Sequence, residues 1–160
     1  MTQPIIFATE RLEVSPLDRK DPQTHREIMA LFTDSVAQYL PPACQQLDSA
    51  EQVDAWLDTM EATGSVLVVR QKATTAGYLF VFPEPEATYR VGYVLGESFW
   101  GQGLASEAMS ALIDKLLLQG AKRFIAGVEP ANGASVNVLT KLGFVLGYSQ
   151  QDVDYYQYRG

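Results

Sequence analysis

The sequence predicts an α/β protein with a mixed central sheet, and three observations favour this class. The hydrophobic pattern alternates between a period of two residues and a period of 3.6 residues. Two runs of β-branched and aromatic residues, SVLVVR and YLFVF, predict an antiparallel hairpin. A long helical pattern then separates further strands, as a crossover connection requires. The expected order is β-α-α-β-β-β-α-β-α-β-β, with about six to seven strands and about four helices.

The N-terminal part is predicted to hold one strand and two helices. Phe7–Leu17 is the expected first strand. Asp21-Pro22 can start a short helix. Ser49 and Gln52 make a plausible capping box for a second helix, which Gly64 ends. The apolar residues of that helix fall on one face: Val53, Trp56, Leu57 and Met60.

In the middle of the chain the period changes to that of strands. Ser65–Arg70 and Tyr78–Phe82 form the predicted hairpin around a turn that contains Gly77. Pro83–Glu86 is predicted as a loop, and Tyr89–Leu95 as the next strand.

The C-terminal part alternates between helices and strands. Gly103–Gln119 carries a wide apolar face and predicts a long helix, which Gly120 ends. The segments after it are predicted as a strand, a short helix and two strands: Arg123–Val128, Ser135–Leu142, Phe144–Tyr148 and Val153–Tyr158.

Composition and charge exclude several classes of protein. The 160 residues are 47% hydrophobic and 19% charged, which suits a single domain over residues 1–160. No apolar run approaches the roughly 20 residues of a membrane span, and no signal peptide is evident. The net charge of -7 argues against nonspecific nucleic-acid binding. The lone Cys44, expected to be packed or half-exposed, fits a reducing compartment, so we expect a cytoplasmic protein.

The segment FWGQGLASEAM, Phe99–Met109, places glycines at the start of the long helix. A helix start leaves up to four backbone N–H groups unpaired and carries a partial positive charge, and a phosphate satisfies both. Gly101 and Gly103 lack a Cβ atom, so an anion can approach the backbone closely. A phosphate site is therefore predicted here, the alternative being a glycine turn that merely ends a strand.

Three phosphate ligands compete for this segment. A Walker loop requires Gly-Lys-Ser/Thr, but Gly103 is followed by Leu-Ala-Ser. A dinucleotide fingerprint requires a third glycine, where Ser106 stands, and too few strands follow to build that fold. The diphosphate of coenzyme A is the third candidate.

Two further segments carry a resemblance to a known family. EPANGASVNVLTKLGF, residues 129–144, and TERLEVSPL, residues 9–17, resemble the GNAT superfamily of acyl-CoA N-acyltransferases and its RimJ/RimL-like branch. The resemblance covers essentially the whole chain. It implies a GNAT fold whose sheet is splayed between the fourth and fifth strands, and acetyl-CoA as the acyl donor. It also implies transfer of an acetyl group to a primary amine on a protein or peptide N-terminus or a small molecule.

The resemblance also implies residues that bind the donor. The backbone of Val94 and Leu95 would pair with the pantetheine arm, and Asn132 would contact the cofactor or only cap a helix. The diphosphate would meet the residues at the helix start: Gly101, Gln102, Gly103, Leu104, Ala105 and Ser106. Trp100 stands where relatives carry Gln or Arg.

For catalysis the resemblance points to Ser135 as the proton donor to the leaving thiolate, with a helix N-cap as the equal alternative. Leu139 occupies the position of the Tyr donor of other members, and Arg90 that of a common Glu. Arg90 is expected to be exposed or to bind an acidic acceptor, and His25 to face solvent. The general base is not identified, and no metal-ligand spacing is present.

These departures keep a second function open. The chain is expected to be an N-acetyltransferase, or alternatively a catalytically impaired GNAT-fold module that binds CoA or a partner. The tail after Tyr148 would shape the acceptor pocket or pair with another subunit, since many relatives dimerise.

Overall fold

Eight strands are present in the computed structural model, which describes residues 4–45 and 47–160. They are β1 (Phe7–Ala8), β2 (Glu13–Pro16), β3 (Ser65–Gln71), β4 (Thr74–Glu84), β5 (Thr88–Leu95), β6 (Arg123–Val128), β7 (Val145–Gln150) and β8 (Val153–Arg159). They form one mixed sheet in the order β1-β2-β3-β4-β5-β6-β8-β7. All neighbouring strands are antiparallel except β5 and β6, which are parallel.

Five α-helices are found in the described part of the chain. They are α1 (Pro22–Leu31), α2 (Asp34–Ala37), α3 (Ala50–Thr63), α4 (Leu104–Leu118) and α5 (Gly133–Lys141). Two single turns of 3-10 helix lie at Pro42–Cys44 and Glu97–Phe99. None of the described helices has both the length and the apolar character needed to cross a membrane.

The local start and stop signals of α1 and α3 act as the sequence predicts. The Asp21 carboxylate caps α1 by accepting from the Gln23 N–H at 2.9 Å. The Ser49 hydroxyl caps α3 by accepting from the Gln52 N–H at 3.2 Å. The reciprocal bond of the predicted capping box is displaced by one residue, because the Gln52 side chain accepts from the Asp48 N–H at 2.7 Å.

The predicted first strand, Phe7–Leu17, is wrong as a single element. Thr9 closes a tight turn between β1 and β2: its N–H donates to the Leu12 carbonyl at 2.8 Å, and its hydroxyl accepts from the Leu12 N–H at 3.0 Å. The side chain of Thr9 therefore competes with the sheet for the backbone, as Thr does in turns. Arg11, in this turn, is free to reach another element.

The predicted hairpin exists, but its turn does not contain Gly77. The chain reverses at Lys72, whose φ is 57°, and Gly77 lies inside β4, opposite Val69 and Leu95. The residues Pro83 and Glu84 of the expected loop belong to β4 as well. Gly77 is needed for close approach of the strands: a Cβ atom added there would lie 2.0 Å from the Val94 carbonyl oxygen and 2.9 Å from the Leu95 Cα.

Helix α2 is a further element that the sequence pattern misses. The Thr33 hydroxyl caps it by accepting from the Val36 N–H at 3.3 Å. Four residues are too few to show a helical period, so no periodicity could predict it. Its position beside β5 matters for the site described below.

The sheet is covered on both faces by apolar side chains. Helices α4 and α5 pack on one face, where the largest buried cluster includes Leu67, Leu79, Val91, Met109, Leu112 and Phe124. Helices α1 and α3 pack on the other face, with Ile28, Trp56, Leu57, Val68, Tyr78 and Phe80. Cys44 is buried in this second cluster, and burial raises the pKa of its thiol.

Strands β5 and β6 separate soon after they meet. Only Thr88–Arg90 pairs with Arg123–Ile125, and the remainder of β5 diverges from β6. This gap is the splay expected between the fourth and fifth strands of the predicted order, so the expected GNAT fold class is confirmed.

The close approach at Gly77 gives a testable prediction. Gly77→Ala should lower the free energy of unfolding by about 1–3 kcal/mol, because backbone atoms of β5 must move to admit the methyl group. Gly92→Ala is the matched control: its added Cβ would meet only the Phe80 ring, at 3.6 Å, and should change stability by less than about 0.5 kcal/mol. Urea unfolding measures both, and equal effects would contradict the steric explanation.

Candidate active site

The turn before α4 has the backbone geometry of an anion-binding loop. Gly101 and Gly103 have φ of 74° and 75°, the left-handed region that glycine adopts without strain. Space is open around the position of a Cβ at Gly101. Within the described residues, the N–H groups of residues 101–106 have no hydrogen-bond acceptor. These amides at a helix start fit a diphosphate.

A network from the β1–β2 turn braces this loop. The Arg11 Nε donates to the Glu107 carboxylate at 2.7 Å, and the Arg11 backbone N–H donates to it at 3.0 Å. The Thr9 hydroxyl donates to the same carboxylate. The Arg11 Nη1 donates to the Gln102 carbonyl at 2.8 Å. One side chain therefore ties the loop and the first turn of α4 to the far edge of the sheet.

The environment of Glu107 favours its charged form. Burial alone raises the pKa of this carboxyl, but the hydrogen bonds from Thr9 and Arg11 outweigh burial, and the pKa lies below its ordinary value. Glu107 is thus an acceptor held in place by its donors.

A cavity of about 380 Å³ opens beside this loop. It is lined by α2 and the residues after it, the end of β5, the start of α4 and the start of α5: Ser35, Val36, Gln38, Tyr39, Leu40, Tyr93, Val94, Leu95, Phe99, Trp100, Gly101, Gly103, Leu104, Ala105, Ser106, Asn132, Ala134, Ser135 and Val138. All of the site residues expected from the sequence line it except Gln102. The carbonyl of Gln102 is bound by Arg11, and its side chain donates to the Ser98 carbonyl at 3.2 Å.

The backbone of Val94 does not face the splay, which corrects one expectation. The Gly96 N–H donates to the Ala76 carbonyl at 2.8 Å, so Gly77 and Leu95 form a non-hydrogen-bonded pair. Antiparallel alternation then pairs both backbone groups of Val94 with Tyr78, and turns those of Tyr93 and Leu95 toward the gap. Consistent with this direction, the Trp100 indole N–H donates to the Leu95 carbonyl at 3.0 Å.

Three polar side chains meet at the start of α5. The Ser135 hydroxyl lies 2.8 Å from the Tyr93 hydroxyl, and it accepts from the Asn132 side-chain amide at 3.0 Å. Asn132 is the cap of α5, because its side-chain oxygen Oδ1 accepts from the Ser135 N–H at 3.3 Å. The expectation of Ser135 as the N-cap is therefore wrong: the helix begins two residues earlier, at Gly133.

Tyr93 is a site residue that the sequence pattern does not predict. Burial raises the pKa of its phenol, only partly offset by the hydrogen bond with Ser135, so Tyr93 stays protonated at neutral pH. A signal was present, since Tyr93 alternates in β5 with Val91 and Leu95, which face α4 and α5. The alternation alone does not distinguish a core tyrosine from a site tyrosine.

The remaining candidates lie outside the cavity lining. Leu139 is buried in the apolar core. Arg90 pairs with the Glu84 carboxylate and lies 5.6 Å from the centroid of the Tyr155 ring. His25 was expected to face solvent, but its side chain is only 17% exposed and its Nε2 lies 2.6 Å from the Asp54 carboxylate of α3. None of the described lining residues carries a charge at neutral pH.

The family is shown by comparison with known proteins. The model of the acetyltransferase (GNAT) domain matches residues 11–145. The chain therefore belongs to the GNAT acetyltransferase family, whose acyl donor is acetyl-CoA, and the expected family is confirmed.

Individual relatives agree in fold. RimL, a ribosomal alpha-N-protein acetyltransferase solved with coenzyme A, is 23% identical and superposes with a TM-score of 0.82, covering 97% of this chain and 98% of that one. RimJ of Mycobacterium smegmatis, in complex with a CoA disulfide, is 16% identical with a TM-score of 0.77, covering 92% of this chain and 81% of that one.

One relative is similar in sequence over a short stretch. The uncharacterised N-acetyltransferase p20 of Bacillus licheniformis is 44% identical over 55 residues, which are 34% of this chain and 31% of that protein. The match thus spans about a third of the length of this relative.

The Glu107 network predicts a pH dependence of stability. A carboxyl with a lowered folded-state pKa contributes stability above its unfolded pKa, about 4.3, and loses it as the pH falls through the folded value. Glu107→Gln should therefore lower the free energy of unfolding by about 1 kcal/mol at pH 7, and the difference should shrink below about pH 4. Urea unfolding over a pH series measures this, with Glu51→Gln in the first turn of α3 as control. A difference independent of pH would show that charge is not involved.

Proposed function

We propose that residues 1–160 act as one acetyl-CoA-dependent N-acetyltransferase domain whose acceptor is a primary amine without a second ammonium group. The observation that carries the proposal is that one cavity is lined both by the glycine-rich start of α4 and by the Tyr93–Ser135–Asn132 cluster. The same cavity would thus hold the phosphates of the acyl donor and the hydroxyl that supplies a proton.

The donor-binding groups follow from the backbone. The unpaired amides of Gly103, Leu104, Ala105 and Ser106 would hold the diphosphate, helped by the partial positive charge at the start of α4. The gap beside Tyr93 and Leu95 would take the pantetheine arm as an additional strand. Asn132 both caps α5 and lines the cavity, so it can act as a helix cap and contact the cofactor at the same time.

The reaction is direct attack of a neutral amine on the donor thioester, after which the departing thiolate takes a proton. The Asn132 amide nitrogen can only donate, so the Ser135 oxygen is an acceptor in that bond. When Tyr93 donates as well, the Ser135 proton is free to point into the cavity. Ser135 would then protonate the thiolate, Tyr93 would restore the serine proton, and water that has taken up the proton of the amine would return one to the Tyr93 phenolate.

The residues that line the cavity also limit the charge of the acceptor amine. A second ammonium group in this cavity would lack a carboxylate partner among the described residues, and burying an unpaired charge is costly. Polyamines are therefore disfavoured relative to a peptide α-amine or a small monoamine. With no carboxylate or imidazole in the described lining, the proton of the amine would leave through water. The lone, buried Cys44 fits a cytosolic setting.

Acceptor-dependent thiol release tests the function. The protein is incubated with acetyl-CoA and a panel of peptides, monoamines and polyamines, and free thiol is followed with a chromogenic disulfide. Peptide α-amines or monoamines should release thiol faster than polyamines of equal concentration. Stabilisation against heat by CoA without any acceptor-dependent release would instead support a binding module.

The hydroxyl cluster gives a second prediction. Ser135→Ala should lower kcat by ~10²-fold or more while the Kd for CoA stays within about threefold, because a proton donor acts in the transition state. Tyr93→Phe should lower kcat by a smaller factor. Thr140→Ala, which removes a hydroxyl from the exposed side of the same helix, is the matched control. Unchanged turnover in Ser135→Ala would remove Ser135 from the mechanism.

A further inference from the structure

Arg11 lies outside the cavity lining but contacts both the turn before α4 and the first turn of α4 itself. Its guanidinium binds the Gln102 carbonyl and the Glu107 carboxylate at once, and it approaches the turn closely: Nη2 lies 3.6 Å from the position of a Cβ at Gly103. The loop precedes α4 and follows the central strand β5, whereas Arg11 belongs to the β1–β2 turn at one edge of the sheet. The contact is therefore a tertiary bridge to the loop.

The bond to Gln102 determines how the next amide is oriented. In a trans peptide the carbonyl and the following N–H point in opposite directions. Because Arg11 binds the Gln102 carbonyl, the Gly103 N–H must point away from Arg11. Gly103, with its left-handed φ, lines the cavity. Without the hydrogen bond from Arg11, the peptide between Gln102 and Gly103 could rotate and direct its carbonyl oxygen toward an anion.

The bond to Glu107 has an electrostatic consequence. Glu107 lies in the first turn of α4, close to the proposed diphosphate, and a free carboxylate there would repel it. The Arg11 guanidinium compensates that charge through the 2.7 Å ion pair. Arg11 thus acts on the same site in two ways, through peptide orientation and through charge.

We propose that Arg11 is a positioning residue for the donor diphosphate, acting through the Gln102–Gly103 peptide and Glu107. This inference rests on the proposed function, because it requires the diphosphate to lie at the start of α4. Arg11 sets the affinity for the diphosphate-bearing part of the donor and does not change the rate of the acetyl-transfer step.

The test compares two acyl donors in Arg11→Gln. Acetyl-CoA carries the diphosphate, and S-acetylpantetheine lacks it. In the variant the KM for acetyl-CoA and the Kd for CoA, measured by calorimetry, should rise about tenfold or more, as expected for loss of a charged hydrogen bond. The kcat should stay within about twofold, and kcat/KM for S-acetylpantetheine should not change.

Arg19→Gln is the matched control. Arg19 also pairs with helix carboxylates, Asp54, Asp58 and Glu61 of α3, on the opposite face of the sheet. Its removal should leave the kinetics of both donors unchanged. Arg11→Lys keeps the charge, but its single ammonium group spans Glu107 and Gln102 poorly, so it should show a smaller rise in KM for acetyl-CoA alone.

Several results would overturn the inference. Equal losses with both donors would mean that Arg11 only supports folding, and an Arg11→Lys variant with wild-type affinity would mean that peptide orientation plays no part. If Arg11→Gln does not fold, as judged by melting without ligand, Arg11→Lys decides the question. A wild-type protein that binds CoA no better than pantetheine would instead reject the diphosphate site itself.

Discussion

The parallel contact between β5 and β6 is the constraint on which the rest of the site depends. The two strands pair only over Thr88–Arg90 and Arg123–Ile125 before they diverge. Each strand is followed by a helix, and the carboxyl ends of parallel strands lie at one edge of a sheet. The starts of α4 and α5 are therefore brought to the same cavity, on either side of the gap. A sheet paired along its full length would leave no opening for an extended ligand between these helices.

The two helix starts carry different chemistry because they are capped differently. Helix α5 has a side-chain cap, Asn132, which binds both the amide and the hydroxyl of Ser135 and so orients the hydroxyl. Helix α4 has a glycine at its start and no side-chain cap, so its first amides remain available to an anion. The absence of a cap is costly for a helix unless a ligand or another contact compensates. In this protein Arg11 and Thr9 stabilise the first turn through Glu107.

Much of the fold could be predicted from local patterns, and the errors have physical causes. The caps Asp21 and Ser49 and the long helix follow rules that act within a few residues, so the sequence is sufficient to find them. The sequence pattern places Gly77 in a turn because a glycine in a turn and a glycine at a close contact between strands look alike in a sequence. What distinguishes them is the Val94 carbonyl in the neighbouring strand, which leaves no room for a Cβ. The Phe7–Leu17 segment is not one strand because the Thr9 hydroxyl accepts from the Leu12 N–H and closes a turn, which the strand pattern does not reveal.

By itself the sequence determined the family, the alternation of strands and helices, and a glycine-rich helix start, because motifs and periodicities are local. Tertiary structure alone decided which groups act together. It brought the Tyr93 hydroxyl within 2.8 Å of the hydroxyl of Ser135, which lies 42 residues later in the chain. It also brought Arg11 to the carbonyl of Gln102, 91 residues later, in the turn before α4. It also directed the backbone N–H and carbonyl of Tyr93, and not those of Val94, toward the gap between β5 and β6. The physical reason is that sheet register and strand separation set these contacts, and both depend on pairing between segments that are distant in the chain.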